Sequence, residues 1–260
     1  MRRPKKDIQL TSYDELLGLE ETPEKSMNQV VEIDLAKLYP FKNHPFHVND
    51  DEKMAETVES IKTYGVLTPA LVRPRPDGGY EMISGHRRKR GCELCGKTTL
   101  PALVRNYTDD EAVIIMVDSN IQRENLLPSE KAHAYKMKYD AIKKKAGRKN
   151  CSQVNHNTGK RSIDVIGELC GDSAKQVQRY IKITELIPAL LDKVDDGTMG
   201  FTPAVQLSYL KKKEQQEIMN AIDSTQCTPS LSQAIRMKKL SESGKLTEAE
   251  IEGILGEVKQ

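Results

Sequence analysis

Apolar and polar positions alternate with one rhythm up to about residue 108 and with another beyond it. In the first part, short apolar runs trade places with amphipathic stretches. Val30-Val31-Glu32-Ile33 reads as an opening strand, and Met54, Val58 and Ile61 recur at helical spacing over 51–64, with Asn49-Asp50 as the cap and Gly65 as the stop. Ala70-Leu71-Val72 and Tyr80-Glu81-Met82-Ile83 predict two strands joined through Pro76-Asp77-Gly78-Gly79, whose composition favours a turn. A helix beginning near His86 and ending at Gly96 follows, then a third short strand over Leu100 to Val104. Beyond Thr108 the period is helical only. Thr108 to Glu111 forms a capping-box pattern, and Ser129 is placed to cap a long helix through Ala146 that Gly147 stops. Further helices are predicted over Ser162–Thr184, Ile187–Val194, Thr202–Leu210, Lys213–Ile222, Ser230–Ser241 and Glu248–Val258, the last with a capping box from Thr247 to Glu250. The expectation is an α+β unit followed by an all-α unit. Its divisions are an arm over 1–27, a domain over 28–127, a helical domain over 128–225 and C-terminal helices over 226–260.

Composition and charge narrow the class. Charged residues make up 30% of the 260 and aromatics 5%, without Trp, which suits a water-soluble, helix-rich chain. No apolar run approaches the ~18 residues of a spanning helix, and the start of the chain has no apolar stretch of secretion type, so a cytoplasmic location without membrane contact is expected. Five cysteines in no regular framework fit reduced thiols, and Cys92 and Cys95 form a lone CxxC that is a poor metal site. Net charge is only +2, but it is unevenly placed: Asp7–Ser60 holds 13 acidic and 4 basic residues, whereas Lys131–Arg161 holds 10 basic residues and one acid. Such asymmetry points to a polyanionic partner for the middle of the chain, against the alternative of a solvated helix face.

Residues 162–184 combine a helix, a tight turn and a second helix, the pattern of a helix-turn-helix. Ile163, Ile166, Leu169 and Cys170 give the first helix an apolar face; Gly167 allows close approach; Gly171 can take the left-handed turn conformation. Ser173 is a natural cap for the second helix, which buries Val177 and Ile181. Its outward face carries Lys175, Gln176, Gln178, Arg179 and Lys182. Gln176 and Arg179 are candidates for reading base edges, and Lys175 and Lys182 for phosphate contacts. An ordinary helical hairpin is the competing reading.

Ile83-Ser84-Gly85-His86-Arg87-Arg88-Lys89-Arg90 poses a different question. Four consecutive cations sit at a helix start, where the backbone dipole is already positive and disfavours them by a few tenths of a kcal/mol each. Helix-start amides and arginine forks together make an anion site, and a bound polyphosphate would reverse that penalty. A solvated basic patch is the alternative.

ISGHRRKRG resembles the GERRxRA box of the ParB/RepB partition family, and DSNIQRENL, from Asp118 to Leu126, resembles its second box, ENxQRExL. TVESIKTYGVLTPALVRP resembles the segment before the first box, and the order of elements matches over roughly Val30 to Leu210. The resemblance implies a ParB/sulfiredoxin-like N-terminal domain followed by a helix-turn-helix DNA-binding domain. It implies a homodimeric, nucleoid-associated clamp on a palindromic, centromere-like double-stranded DNA site, switched by CTP with Mg²⁺, reopened by slow CTP hydrolysis and moved by a ParA-type ATPase. Carried over by position, Gly85, His86, Arg87, Arg88 and Arg90 would line the triphosphate pocket, Asn120 would help hold the metal, and Arg123 would support the same pocket. Gly65 to Pro69 would form another wall, and the arm around Leu10 to Leu17 is the candidate ParA contact.

Two departures stand out. His86 replaces the Glu of the first box, and Ser119 replaces the Glu before Asn in the second, removing one hard oxygen donor near Mg²⁺. A sulfiredoxin-like enzyme is disfavoured because Gly85 stands where the reactive Cys would precede His-Arg. A nuclease or kinase lacks a visible acidic pair beside the basic run. A helix-turn-helix repressor without nucleotide switching, serving a plasmid or mobile element, is the main alternative.

Overall fold

The computed structural model describes residues 30–123, 126–147 and 162–257, with backbone alone for 145–147. The arm over 1–27, Glu124 and Asn125 of the second box, and most of the polar connector before Ser162 lie outside the described residues.

The first part is a mixed sheet of β1 (Val30–Asp34), β2 (Leu38–Tyr39), β3 (Ala70–Pro74), β4 (Tyr80–Ser84) and β5 (Thr99–Val104), in the order β1-β5-β3-β4-β2. The β1/β5 and β3/β4 pairs are antiparallel, and β3/β5 and β2/β4 are parallel. The short strand β2, after a single 3-10 turn at Leu35–Lys37, was not legible as an element because it spans two residues. Helices α1 (Glu52–Tyr64) and α2 (His86–Leu94) pack together on the sheet, burying Ile61 and Cys92 with Val72, Met82, Leu100 and Ala102. Asp51, not Asn49 or Asp50, caps α1: its side chain accepts from the Met54 amide, and Val58 is only half-buried.

Helix α3 (Asp109–Asp118) opens with the expected capping box, Thr108 and Glu111 bonding reciprocally. The long helix α4 (Pro128–Gly147) starts earlier than expected. Proline has no amide hydrogen to lose in the first turn, and the Ser129 amide donates instead to Asp195 Oδ1 at 2.9 Å. Then come α5 (Ser162–Cys170), α6 (Ala174–Ile183), α7 (Pro188–Asp195), α8 (Phe201–Leu207), α9 (Lys212–Thr225), α10 (Leu231–Glu242) and α11 (Glu248–Leu255). At α11 the Thr247 side chain accepts from the Glu250 amide, the forward half of the expected box.

Two further cores join these parts. One spans the expected 127/128 boundary, with Phe46, Ile83, Ile115 and Met116 packed with Tyr135 of α4 and with Ile166 and Val177 of α5 and α6. The other runs across 225/226, where Ile218 and Ile222 share a core with Met237, Ile251 and Leu255. Packing therefore continues through both expected divisions. No helix among the described residues is long and apolar enough to cross a membrane.

Candidate functional site

The basic helix start forms as expected. Gly85 caps α2 in the left-handed region, φ 108°, and a Cβ there would meet the Ala70 Cβ at 2.9 Å. Only glycine lets β4 turn into α2 this close to β3. The four cations that follow have different partners. Arg87 pairs with Asp51 at 3.0 Å and Arg90 with Asp50 at 2.6 Å. The acidic start of α1 thus lies beside the basic start of α2, and each helix's dipole-disfavoured or dipole-favoured charge is partly offset by the other. Lys89 donates to the Leu38 carbonyl at 2.7 Å. Arg88 donates to two carbonyls, Thr68 and Pro69, at 2.6 Å each, and burial pulls its guanidinium below the ordinary value.

The expected wall over 65–69 is therefore tied to Arg88. Residues from Gly65 to Thr68, with Arg88, Glu56 and Thr57, line a cleft of about 350 Å³. A second cleft of about 590 Å³ brings Arg87 of the first box and Arg123 of the second to one wall, with Asn49, Asp51 and Glu130. The Arg123 guanidinium meets no carboxylate or carbonyl at bonding distance among the described residues, and lies 5.8 Å from the Phe46 ring centre. Desolvation and the neighbouring Arg87 lower its pKa.

His86 carries a feature the sequence did not mark. Its ring lies 4.0 Å, centroid to centroid, from that of His44, and the buried Nε2 atom of each ring has no partner. Burial, then the charges of His44, Arg123, Lys89 and Arg88, push the His86 pKa from 6.5 down to about 3. Nothing in the spacing of His44 along the chain signals this pairing, since 42 residues separate it from His86 (86 − 44).

Two polar side chains of the second box already have partners within the fold. Asn120 is 3% exposed, and its carboxamide nitrogen donates to the Met116 carbonyl at 2.7 Å and to Ser119 Oγ at 3.1 Å. The amide is committed to the last turn of α3, and Asp118, the nearest acid in sequence, is salt-bridged to Lys138. No cluster of three His, Cys, Asp or Glu suited to a metal occurs among the described residues. These bonds use the carboxamide nitrogen of Asn120, while a metal would take the oxygen, so the metal role of Asn120 stays an expectation.

The helix pair α5 and α6 has the close crossing that the small residues predict. A Cβ on Gly167 would lie 2.6 Å from the Asp172 carbonyl oxygen, Gly171 has φ 74°, and Ser173 Oγ accepts from the Gln176 amide at 3.2 Å. Asp172 in the turn is held by Tyr135 at 2.5 Å and Lys131 at 2.7 Å, both on α4. Leu169 departs from the expectation: it is 58% exposed, because the apolar stripe of α5 turns inward through Ile166 instead. On α6, Val177 is buried and Ile181 half-buried, while Lys175 and Gln178 are exposed. Arg179 is less free than its place on the helix suggests. It donates to Thr202 Oγ1 at 2.8 Å and to Gln176 Oε1 at 3.3 Å, with its guanidinium 5.1 Å from the Phe201 ring centre. Lys182 pairs with Glu185 at 2.5 Å and lies over Tyr209, whose ring Lys238 also approaches at 3.8 Å.

Several known proteins are similar to this chain. Residues 20–121 match the family model of the ParB N-terminal domain. A nucleoid occlusion protein of Geobacillus thermodenitrificans is 36% identical over 126 residues, 48% of this chain and 45% of the relative. A probable chromosome 1-partitioning protein ParB of Deinococcus radiodurans is 40% identical over 176 residues, 68% of this chain and 54% of the relative. The chain spans about half the length of the curated relatives it matches. The crystal structure of C-terminally truncated ParB of Caulobacter crescentus complexed to the centromeric parS site is 21% identical, with a TM-score of 0.47, covering 86% of this chain and 98% of that one. Matched by family model over 20–121 and by relatives named ParB and nucleoid occlusion protein, the chain carries a ParB N-terminal domain over 20–121.

Proposed function

We propose that this chain is a DNA-binding protein of ParB type that reads a double-stranded, palindromic site through α5 and α6, as a homodimer on the nucleoid. The observation that carries the reading is the capped α6 itself, which stands on the shared core through Val177 and presents Lys175 and Gln178 to solvent. A helix so placed can enter a major groove with its N-terminal half leading. Gln176 and Gln178 are the proposed base readers; Lys175 and Lys182 contact phosphate. Arg179 reaches bases only by leaving Thr202, so its role includes a conformational cost.

The same reading gives the sheet domain a nucleoside triphosphate, CTP, bound between the 65–69 wall, Arg88 and Arg123. When bound, the triphosphate supplies negative charge that changes the grip on DNA. Arg88 and Arg123 fit such an anion, since neither is paired with an acid. Arg87 and Arg90 join only by leaving Asp51 and Asp50. Mg²⁺, when bound, would be held by the phosphates together with the carboxamide oxygen of Asn120. A ParA-type ATPase remains the proposed partner that moves the complex, and the cytoplasm its compartment.

A second reading, a repressor without nucleotide response, is favoured by those same Arg–Asp pairs, which leave the basic run internally neutralised. Selection of binding sites from a random duplex library, followed by calorimetric titration with CTP and ATP, separates the two. Selective CTP binding that is lost in Arg88→Ala while site-specific DNA binding persists supports the switch. Specific DNA binding with no response to either nucleotide leaves the repressor. Failure to select any duplex sequence overturns both.

A further inference from the structure

We propose that His44 and His86 are binding residues for a phosphate-class anion in the sheet domain, and that the pair takes up protons as the anion binds. The inference rests on the nucleotide reading above and adds to it a ligand contact and a dependence on pH. His44 and His86 hold the unpartnered buried side-chain polar atoms found among the described residues, and the two rings lie 4.0 Å apart, tilted by 43°. Buried polar atoms without partners are rare, and a pair side by side marks a place where a ligand completes the bonding.

The chemistry of the ligand follows from the ring protons and the surrounding charge. His44 Nδ1 lies 2.8 Å from the Phe46 carbonyl oxygen. That oxygen can only accept, so Nδ1 carries the hydrogen and Nε2 of the neutral ring is a bare lone pair. A lone pair alone would suit a metal ion, but the setting is positive. Arg123, Arg88 and Lys89 act on His86; Arg123 and His47 act on His44, with Glu130 the one opposing acid. No third metal ligand is present among the described residues. Burial is the first cause that keeps both rings neutral and lowers their pKa, and the positive field that repels a metal cation adds to it. An anion on Arg88 and Arg123 cancels that field. Each imidazole can then accept a proton and turn Nε2 into a donor toward the anion.

The sign of the linkage is fixed by this scheme. The free protein holds His86 neutral through neutral pH, and the complex holds it charged, so binding strengthens as pH falls through the bound-state value. For one proton the slope reaches about tenfold in affinity per pH unit. The test is calorimetry on the full chain with CTP, and separately with inorganic tripolyphosphate, at pH 6 to 8 in buffers of different ionisation enthalpy. Proton uptake on binding, reduced in His86→Gln and in His44→Gln, is the expected result. Ring-nitrogen NMR of the unmutated protein gives the same answer without variants: the two histidines should change from neutral to charged on adding tripolyphosphate. Binding of either probe with no proton uptake and unchanged ring signals overturns this inference and leaves the nucleotide reading standing. No binding of either probe overturns the nucleotide reading and, with it, this one. Tight Co²⁺ binding with charge-neutral rings would show the lone pairs to be metal ligands and would also refute the anion assignment.

Discussion

Lys138 offers the sharpest test of how α3 is joined to the α5–α6 helix pair. Its side chain is completely buried in α4, its ammonium donates to Asp118 at the end of α3, and it lies 3.8 Å from Cys170 Sγ at the end of α5. Lys138→Met keeps the length and most of the volume of the stem, so little cavity forms. What remains is a carboxylate without its cation. Removing one member of a buried pair costs about 3–5 kcal/mol when the survivor is fully desolvated. Asp118 is 24% exposed, so water recovers part of that, and about 2–3 kcal/mol is expected. Lys138→Met combined with Asp118→Asn removes the stranded charge as well and should lie within about 1 kcal/mol of the unmutated protein. Urea unfolding of the four proteins of this cycle, followed by circular dichroism at pH 7, gives the coupling directly. A Lys138→Met variant losing less than about 0.5 kcal/mol, or strictly additive single effects, would show that the pair does not join α3 to α4 energetically.

Three other outcomes follow from single features. Gly167→Ala gains about 1 kcal/mol of helix propensity but places a methyl 2.6 Å from the Asp172 carbonyl oxygen, an overpacking cost of about 1–3 kcal/mol. Thermal unfolding should show a net loss and DNA affinity should fall, whereas a rise in melting temperature would refute the close crossing. Gly85→Ala adds left-handed strain of about 1–2 kcal/mol to contact with Ala70, and should lower the melting temperature more than Gly96→Ala, where a Cβ meets nothing. His86, held near 3 in the folded chain against 6.5 ordinarily, takes its proton more readily when unfolded, so stability should fall as pH drops from about 6.5 toward 3. His86→Gln should flatten part of that slope in unfolding experiments across pH 4.5 to 7.5, and an unchanged slope would show that the ring is not kept neutral.

Elements governed by local chemistry were legible in the sequence. Thr108, Gly85, Gly167 and Ser173 all do what their types and spacing require, because capping and left-handed turns are decided within a few residues. The errors lie where distant packing decides. Leu169 looked like part of an apolar stripe, but its helix buries the face through Ile166 and leaves Leu169 outside. The start of α4 was misplaced because the Ser129 amide is satisfied by Asp195, 66 residues away, and not by its own helix. Neither division of the chain could show that a common core runs through it. The contact of His86 with His44, and the pairing of Arg87 and Arg90 with Asp51 and Asp50, depend on tertiary approach and left no periodic trace.

That last pairing decides how the basic run should be understood. Read along the chain, Arg87 to Arg90 is one block of equal cations, and either all of it binds an anion or none does. In the fold the block is divided. Arg87 and Arg90 are committed to the acidic start of α1, where Asp51 also caps the helix, so an incoming anion must displace carboxylates to recruit them. The guanidinium groups of Arg88 and Arg123 are not paired with a carboxylate among the described residues, and the desolvation of both makes a new anionic partner more favourable than at an exposed cation. The proposed anion site is therefore centred on Arg88 and Arg123 with the histidine pair, with the two outer arginines as its reserve. Recruiting them frees Asp50 and Asp51 at the start of α1, which gives ligand binding a direct route to moving that helix against the sheet.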